Sequence, residues 1–168
     1  LRWTWEQPPG VPGAEGHQIR IADVDNDGRD EIVDLGHVMD DDGTRLYVTD
    51  LTHGDRFHVA DIHPLRPGLE TFIIQQTNPT FLATAYMDSS TGEFYRRWYS
   101  NSLVDVARGL AIDMDPNHLG MEMFSTQPGI FNADTTEVFS NSIFPFEGLW
   151  WDGDTGREFI MGPNSGST

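Results

Sequence analysis

The sequence contains no cysteine and no lysine, and it lacks any long apolar run. The absence of cysteine excludes disulfide bonds and thiolate metal sites. No stretch approaches the ~18 apolar residues that a membrane-spanning helix needs. The opening segment LRWTWEQPPG has no apolar centre of the kind found in signal peptides. We therefore expect either a processed form or a chain that begins inside a longer protein.

Positive charge is also scarce. The 168 residues carry ten arginines against 27 aspartates and glutamates, which gives a formal net charge of −17 at pH 7. This charge would repel phosphates, so nucleic acid and membrane are not expected as partners. Hydrophobic residues make up 38% and aromatic residues 11% of the chain, enough for a folded core and too many for a disordered chain. The length fits one domain or part of a larger one.

Short β-type runs separated by turn signals predict an all-β fold. The runs include Gln18–Ile21, Arg45–Val48 and Thr71–Ile74, and dipeptides such as Asp42-Gly43 lie between them. Short strands at such spacing are typical of a sandwich, a barrel or a propeller.

A weak internal repeat favours the β-propeller. Three segments share an Asp-x-Asp or Asp-x-His, a loop with glycine, and a glutamate that begins a β-type run. These segments start at Asp23, Asp61 and Asp113. Their unequal spacing suits four-stranded blades with insertions. Ala85–Glu93 and Leu149–Glu158 would be outer hairpins of such blades, and we expect Trp150 and Trp151 to pack within the fold rather than stack on a sugar.

The run DVDNDGRDE, residues 23–31, suits calcium. Calcium takes roughly six to eight oxygen ligands, and alternate carboxylates in a tight turn converge on one point. Gly28 allows the turn to bend back. β-type flanks and a closing acidic residue at the ninth position exclude an EF-hand, and a solvated acidic turn is the alternative. The expected ligands are Asp23, Asp25, Asp27, the backbone carbonyl of Arg29, and Glu31.

The two related loops give weaker calcium signals. The second has a histidine where calcium prefers a carboxylate, so a purely structural turn is the alternative there. The expected ligands are Asp61, His63 and Glu70 in the second loop, and Asp113, Asp115, Asn117 and Glu122 in the third.

Histidine and arginine supply the candidate chemistry. His53, Asp55 and His58 form a polar cluster beside a turn, His17 precedes the first acidic loop, and Arg108 precedes the third. Equivalent positions in neighbouring blades would converge on one rim. There a histidine can act as a base, an aspartate can orient it, and an arginine can bind a carboxylate. Hydrogen-bonded structural histidines are the alternative, and the lack of HExxH spacing argues against zinc at His17, His53 and Asp55.

Four runs, taken in order, resemble the rhamnogalacturonan lyases of polysaccharide lyase family 11. They are HQIRIADVDNDGRDEIV, DDDGTRLYVTDLTHGDRFHVADIHPLRPGLE, ARGLAIDMDPNHLGME and LWWDGD. The family implies an eight-bladed β-propeller several-fold longer than this chain. We therefore expect residues 1–168 to form a partial β-propeller catalytic domain of about three blades.

The resemblance implies a secreted, calcium-dependent enzyme, monomeric in its full-length form, that acts on pectic rhamnogalacturonan I. Such enzymes cleave the rhamnose–galacturonate bond by β-elimination. Carried over by motif, Arg108 would bind the uronate carboxylate and His53 would be the acid or base, oriented by Asp55. His17 and His58 would bind the sugar.

The chain also departs from the family pattern. Gln75-Gln76 stands where the family tends to have a His-Glu pair, Ile143-Phe144 replaces an Asn-Phe pair, and the lysine that relatives place further downstream has no counterpart. The catalytic base could therefore lie outside this chain, which could be inactive alone. The alternative function is a non-catalytic, calcium-stabilised propeller module that binds carbohydrate or protein.

Overall fold

The fold consists of short antiparallel β-strands. The computed structural model describes residues 3–7, 16–141, 143–153 and 156–161. These ranges contain no helix, and so none that is long and apolar enough to cross a membrane. The strands of the first two sheets are β1 (Arg20–Ala22), β2 (Glu31–Asp34), β3 (His37–Met39) and β4 (Arg45–Val48), then β5 (Gly54–Ala60), β6 (Glu70–Gln75), β7 (Leu82–Asp88) and β8 (Phe94–Tyr99). The remaining strands are β9 (Gly109–Ile112), β10 (Glu122–Ser125), β11 (Ile130–Phe131), β12 (Glu137–Phe139), β13 (Pro145–Leu149) and β14 (Glu158–Met161).

Each sheet follows chain order. Strands β1 to β4, β5 to β8 and β9 to β12 form three four-stranded meanders, and β13 pairs with β14. The predicted all-β class is confirmed. The predicted run Arg45–Val48 has the observed bounds of β4, whereas Gln18–Ile21 begins two residues before β1.

The first two strands of every sheet pair in the same register. A glutamate that opens the second strand lies opposite the last residue of the first strand in all four sheets. The pairs are Ala22 with Glu31, Ala60 with Glu70, Ile112 with Glu122, and Leu149 with Glu158. The structure therefore contains a fourth copy of the repeat, where the sequence indicated three.

This register corrects one of the two hairpin assignments. Ala85–Glu93 does connect the third and fourth strands of its sheet, as expected. Leu149–Glu158 instead connects a first strand to a second, as the acidic loops do. The sequence concealed this equivalence because the loop begins with Trp150-Trp151 rather than Asp-x-Asp. Asp154 of the WWDGD run lies outside the described residues.

The sheets pack face to face in chain order. One apolar cluster lies between the first and second sheets and includes Val33, Phe57 and Ile73. Another lies between the second and third sheets and includes Phe72 and Met123. Consecutive residues of β6 thus face different clusters, and every residue of this strand is buried. A strand covered on both faces reads as a continuous apolar run, which explains the uninterrupted Phe-Ile-Ile within β6.

The paired tryptophans do not pack in the core, contrary to expectation. Trp150 is 63% exposed and Trp151 is 79% exposed, because both lie in the loop that follows β13. The guanidinium of Arg157 lies 3.9 Å from the ring centroid of Trp150, a cation–π contact across the hairpin.

Candidate functional site

A polar cavity lies where the first strands of three successive sheets begin. Its volume is about 380 Å³. The acidic loops follow the other ends of these same strands, so the cavity and the loops lie at opposite ends of the sheets. The cavity is lined by His17, Gln18, Asp55, Arg56, Gln76, Asp105, Ala107 and Arg108.

Two histidines and one aspartate meet at the edge of this cavity. A parallel bridge between Gly16 and Gly54 brings the segment of His17 beside that of His53. The two Nε2 atoms lie 3.1 Å apart, and His17 Nε2 lies 3.6 Å from Asp55 Oδ1. One imidazole must donate and the other accept in this contact, so at least one ring is neutral. The structure thus brings His17 next to His53 and Asp55, which lie 36 and 38 residues further along the chain.

The same three side chains could also hold a cation. One ligand atom from each of His17, His53 and Asp55 lies within 4.8 Å of the others. Imidazole and carboxylate groups together suit a divalent ion. The arrangement can therefore serve as a proton-transfer pair or as a metal site.

A glycine and a β-bulge position Asp55. A Cβ on Gly54 would lie 2.5 Å from the carbonyl oxygen of Ile74, so only glycine allows β5 to approach β6 here. Gly54 pairs with Gln75 and Arg56 pairs with Ile74, which leaves Asp55 as the extra residue of the bulge. Bulges redirect side chains. As a result the consecutive residues Asp55 and Arg56 both line the cavity.

A strained turn carries Arg108. The Arg108 N–H donates to the Val106 carbonyl at 2.6 Å, and Ala107 at the centre of this three-residue turn has φ 58°. A positive φ costs a non-glycine residue roughly 1–3 kcal/mol. Hydrogen bonds on both sides hold the turn: Thr77 N–H donates to Val104, and Thr126 Oγ1 donates to Val106. Backbone strain is thus located at the residue that precedes the candidate carboxylate-binding arginine.

Asp105 lies next to Asp55 in the cavity. Burial raises the pKa of Asp55, and a hydrogen bond to Asp105 and the charge of Asp105 raise it further. Gln76 Nε2 donates to Asp105 Oδ2 at 3.0 Å, which fixes the Asp105 carboxylate at the cavity wall. Asp105 and Gln76 were not candidates from the sequence, because only the pairing of Gln76 with Asp105 across two sheets brings them to the cavity.

His58 does not line the cavity. Its Nε2 donates to the carbonyl of Gly109 at 3.0 Å and so links the second sheet to the third. Burial lowers the pKa of His58, which favours a neutral ring. A role for His58 in sugar binding stays a prediction.

The first acidic loop has the geometry of a cation site. Ligand atoms of Asp23, Asp25 and Asp27 lie within 4.8 Å of one another. Glu31 is fully buried; its Oε2 accepts the Val24 N–H at 2.7 Å, and its Oε1 has no hydrogen-bond partner. A buried carboxylate oxygen without a donor suits a cation. The loop therefore fits calcium, whereas the side chain of Arg29 turns away to Asp41 at 3.0 Å and leaves only its backbone for this role.

The other two loops engage their side chains differently. In the second, Glu70 Oε2 accepts the N–H groups of Ile62 and His63, and His63 Nε2 donates to Asp134 at 2.9 Å. Asp61 lines a separate cavity of about 320 Å³ between this loop and the third, together with Asp113.

The third loop shares features with both of the others: its side chains accept hydrogen bonds within the loop, and its glutamate keeps one oxygen without a partner. Asp115 accepts hydrogen bonds from Asn117 and His118, and Glu122 Oε2 accepts from Met114 and Asp115. The buried Oε1 of Glu122 has no hydrogen-bond partner, as in the first loop. Within the described ranges, three ligand atoms converge only at the first loop and at the His17 cluster. Calcium at the second and third loops stays a prediction.

Comparison with known proteins gives consistent matches. The family model described as rhamnogalacturonan lyase family 11, C-terminal domain, matches residues 2–164. The chain is 38% identical over 148 residues to rhamnogalacturonan endolyase YesW of Bacillus subtilis (strain 168), covering 87% of this chain and 23% of the relative. It is 34% identical over 172 residues to rhamnogalacturonan exolyase YesX of the same strain, covering 95% of this chain and 28% of the relative.

Solved structures agree in fold. The crystal structure of YesW superposes with a TM-score of 0.79 at 36% identity, over 88% of this chain and 25% of that one. The Bacillus licheniformis rhamnogalacturonan lyase PL11 gives a TM-score of 0.77 at 34% identity, over 88% and 25%. The chain thus spans about a quarter of the length of the relatives it matches.

Proposed function

Because this chain belongs to rhamnogalacturonan lyase family 11, we propose that it supplies part of the active site of a secreted polysaccharide lyase that cleaves rhamnogalacturonan I in pectin. The observation that supports the proposal is the cavity itself, whose lining combines the His17 imidazole, a carboxylate pair and two arginines within about 380 Å³, with His53 in contact with His17 at its edge. A simple calcium-stabilised repeat does not need this combination.

The residues suit β-elimination on a uronate. Arg108 binds the uronate carboxylate and so acidifies the proton on the adjacent ring carbon C5. A base removes that proton, the electron pair of the C5–H bond forms the C4–C5 double bond, and the C4–O bond to the departing sugar breaks as its oxygen takes up a proton from an acid. The Nε2 atom of His53 lies 3.1 Å from that of His17 and can move a proton in this step, and the Asp55 carboxylate, 3.6 Å from His17 Nε2, stabilises a positive charge on the imidazoles.

Divalent cations have two places in this proposal, and the first suits calcium. Asp23, Asp25, Asp27 and Glu31 would hold a structural ion that ties β1 to β2. As the alternative to proton transfer by the imidazoles, His17, His53 and Asp55 would hold a divalent ion at the cavity edge, which would supply positive charge to the uronate carboxylate.

The three meanders are proposed to be successive blades of a β-propeller. Their face-to-face packing, with apolar clusters between neighbouring sheets, supports this arrangement. In a propeller the first strands of the blades lie around the central axis, and their starting ends share one rim. The cavity lies at those ends, so the rim would bind the polymer.

The test is an assay of rhamnogalacturonan I cleavage by the full-length protein, in which the absorbance of the unsaturated uronate product measures the reaction. Cleavage in calcium that is lost in chelator and restored by added calcium is the expected result. Polymer binding without cleavage would contradict the lyase assignment and favour a non-catalytic binding module.

A further inference from the structure

Arg56 is a cavity residue that the alternation of a regular strand would not reveal. In an unbroken strand consecutive side chains point to opposite faces. The extra residue at Asp55 interrupts this alternation, so Asp55 and Arg56 both reach the cavity. Arg56 is half-buried there, and its strand also contributes Phe57 to the core. The site of the guanidinium is therefore set by the sheet rather than by a mobile loop.

A second guanidinium faces the same cavity from the neighbouring sheet. Arg108 precedes β9 and lines the cavity together with the half-buried Arg56, so two guanidinium groups face one space. Two like charges at one half-buried cavity repel each other. An anion in the cavity would offset that repulsion by interacting with both arginines.

Nearby carboxylates already have other contacts. Asp55 lies 3.6 Å from His17, and Asp105 accepts a hydrogen bond from Gln76. Glu147 of β13 also acts on Arg56 electrostatically. A guanidinium has five N–H donors in a planar fork, a geometry that matches a carboxylate with two parallel hydrogen bonds.

We propose that Arg56 is a second carboxylate-binding residue of the cavity and, with Arg108, determines its preference for an acidic sugar unit over a neutral one. This inference rests on the proposed function, since it assigns a uronate as the ligand. Arg56 contributes to the binding of the acidic unit, whereas proton transfer belongs to the imidazoles. Its removal should therefore weaken the binding of uronates and leave the binding of neutral sugars unchanged.

The test compares two oligosaccharides in the full-length protein. One is a rhamnogalacturonan I fragment, and the other is the same fragment with its uronates reduced to galactose. Calorimetry gives the Kd of each for the wild type, Arg56→Gln, Arg56→Lys and the matched control Arg96→Gln. Arg96 lies exposed on the edge strand β8, so Arg96→Gln removes the same charge at a position away from the cavity.

Arg56→Gln should raise the Kd of the acidic fragment about tenfold, the loss expected for one charge-assisted hydrogen bond. The Kd of the reduced fragment should stay unchanged, and so should both values in Arg96→Gln. Arg56→Lys should recover part of the affinity, because lysine restores the charge but not the fork. In turnover assays KM should rise, while kcat changes by less than about threefold.

Two results would overturn the role of Arg56. One is unchanged binding of the acidic fragment by Arg56→Gln, and the other is an equal loss for both fragments, which would indicate a structural role. A wild type that binds the acidic fragment through Arg56 but produces no unsaturated uronate would refute the lyase assignment alone. A wild type that binds neither fragment would refute both.

Discussion

Replacing Glu70 by alanine should destabilise the protein strongly, whereas glutamine at the same position should be tolerated. Glu70 is 1% exposed, and its Oε2 accepts the N–H groups of Ile62 at 2.8 Å and His63 at 3.0 Å. Alanine removes the acceptor of two buried donors and leaves a small cavity. Glutamine keeps an amide oxygen of nearly the same shape at that point.

The magnitudes follow from the hydrogen bonds. A hydrogen bond to a charged group contributes about 1.5–3 kcal/mol, and relief of the buried charge offsets part of the loss, so we expect about 3 kcal/mol for Glu70→Ala. Glu70→Gln loses only the charge assistance and should cost about 1 kcal/mol or less. The predicted order is therefore wild type, then glutamine, then alanine.

Urea unfolding gives the free energies, and hydrogen exchange at the Ile62 and His63 amides reports on the contact itself. Both amides should lose protection in Glu70→Ala and keep most of it in Glu70→Gln. Glu93→Ala, at an exposed hairpin position, is the matched control and should be nearly neutral. Equal stability of the alanine and glutamine variants would refute the reasoning, because the acceptor would then make no contribution.

Three further predictions concern calcium, catalysis and pH. Asp25→Ala should cost about 2.7 kcal/mol when calcium is near 100 times its Kd, and much less in chelator, where only one acceptor of the Asp27 N–H is lost. Asp30→Ala should show no such difference, and an equal loss with and without chelator would argue against an ion in this loop. His53→Ala should lower turnover roughly 100-fold without a change in thermal unfolding, since the side chain is exposed, and full activity would exclude His53 as acid or base. Arg97→Gln removes a bidentate pair with the exposed Asp50 and should cost only about 0.5 kcal/mol at pH 7. Because the Arg97 hydrogen bond lowers the pKa of Asp50, the pair stabilises the fold above the unfolded pKa of about 4, so the difference in urea unfolding should vanish as the pH falls below that value; a difference that grows in acid would contradict this account.

The first acidic loop shows which features the local sequence spacing predicts and which it does not. Asp23, Asp25 and Asp27 converge as their alternate spacing predicts, because a tight turn with Gly28 at φ 91° leaves them few other arrangements. The spacing did not reveal that Glu31 would be divided between the Val24 amide and a partnerless oxygen. That division depends on the register of β1 with β2, which packing against the second sheet holds in place.

At the candidate site, too, the sequence predicted the residues and the tertiary structure set their contacts. Sequence order and residue type selected His17, His53, Asp55 and Arg108, and the fold brings the two histidines within 3.1 Å of each other. Whether these residues have their predicted roles is for the assays above to decide.

The sequence alone determined the strand class, the turn positions and three of the four repeat units, since a period of two and turn residues act within a few neighbours along the chain. Only the tertiary structure decided the fourth repeat, the bulge that turns Arg56 into the cavity, the strained turn at Ala107 and the contact between Asp105 and Gln76. Each of these depends on which strand lies beside which and in what register. That choice is fixed by apolar side chains packing between sheets, an interaction between residues far apart in the chain.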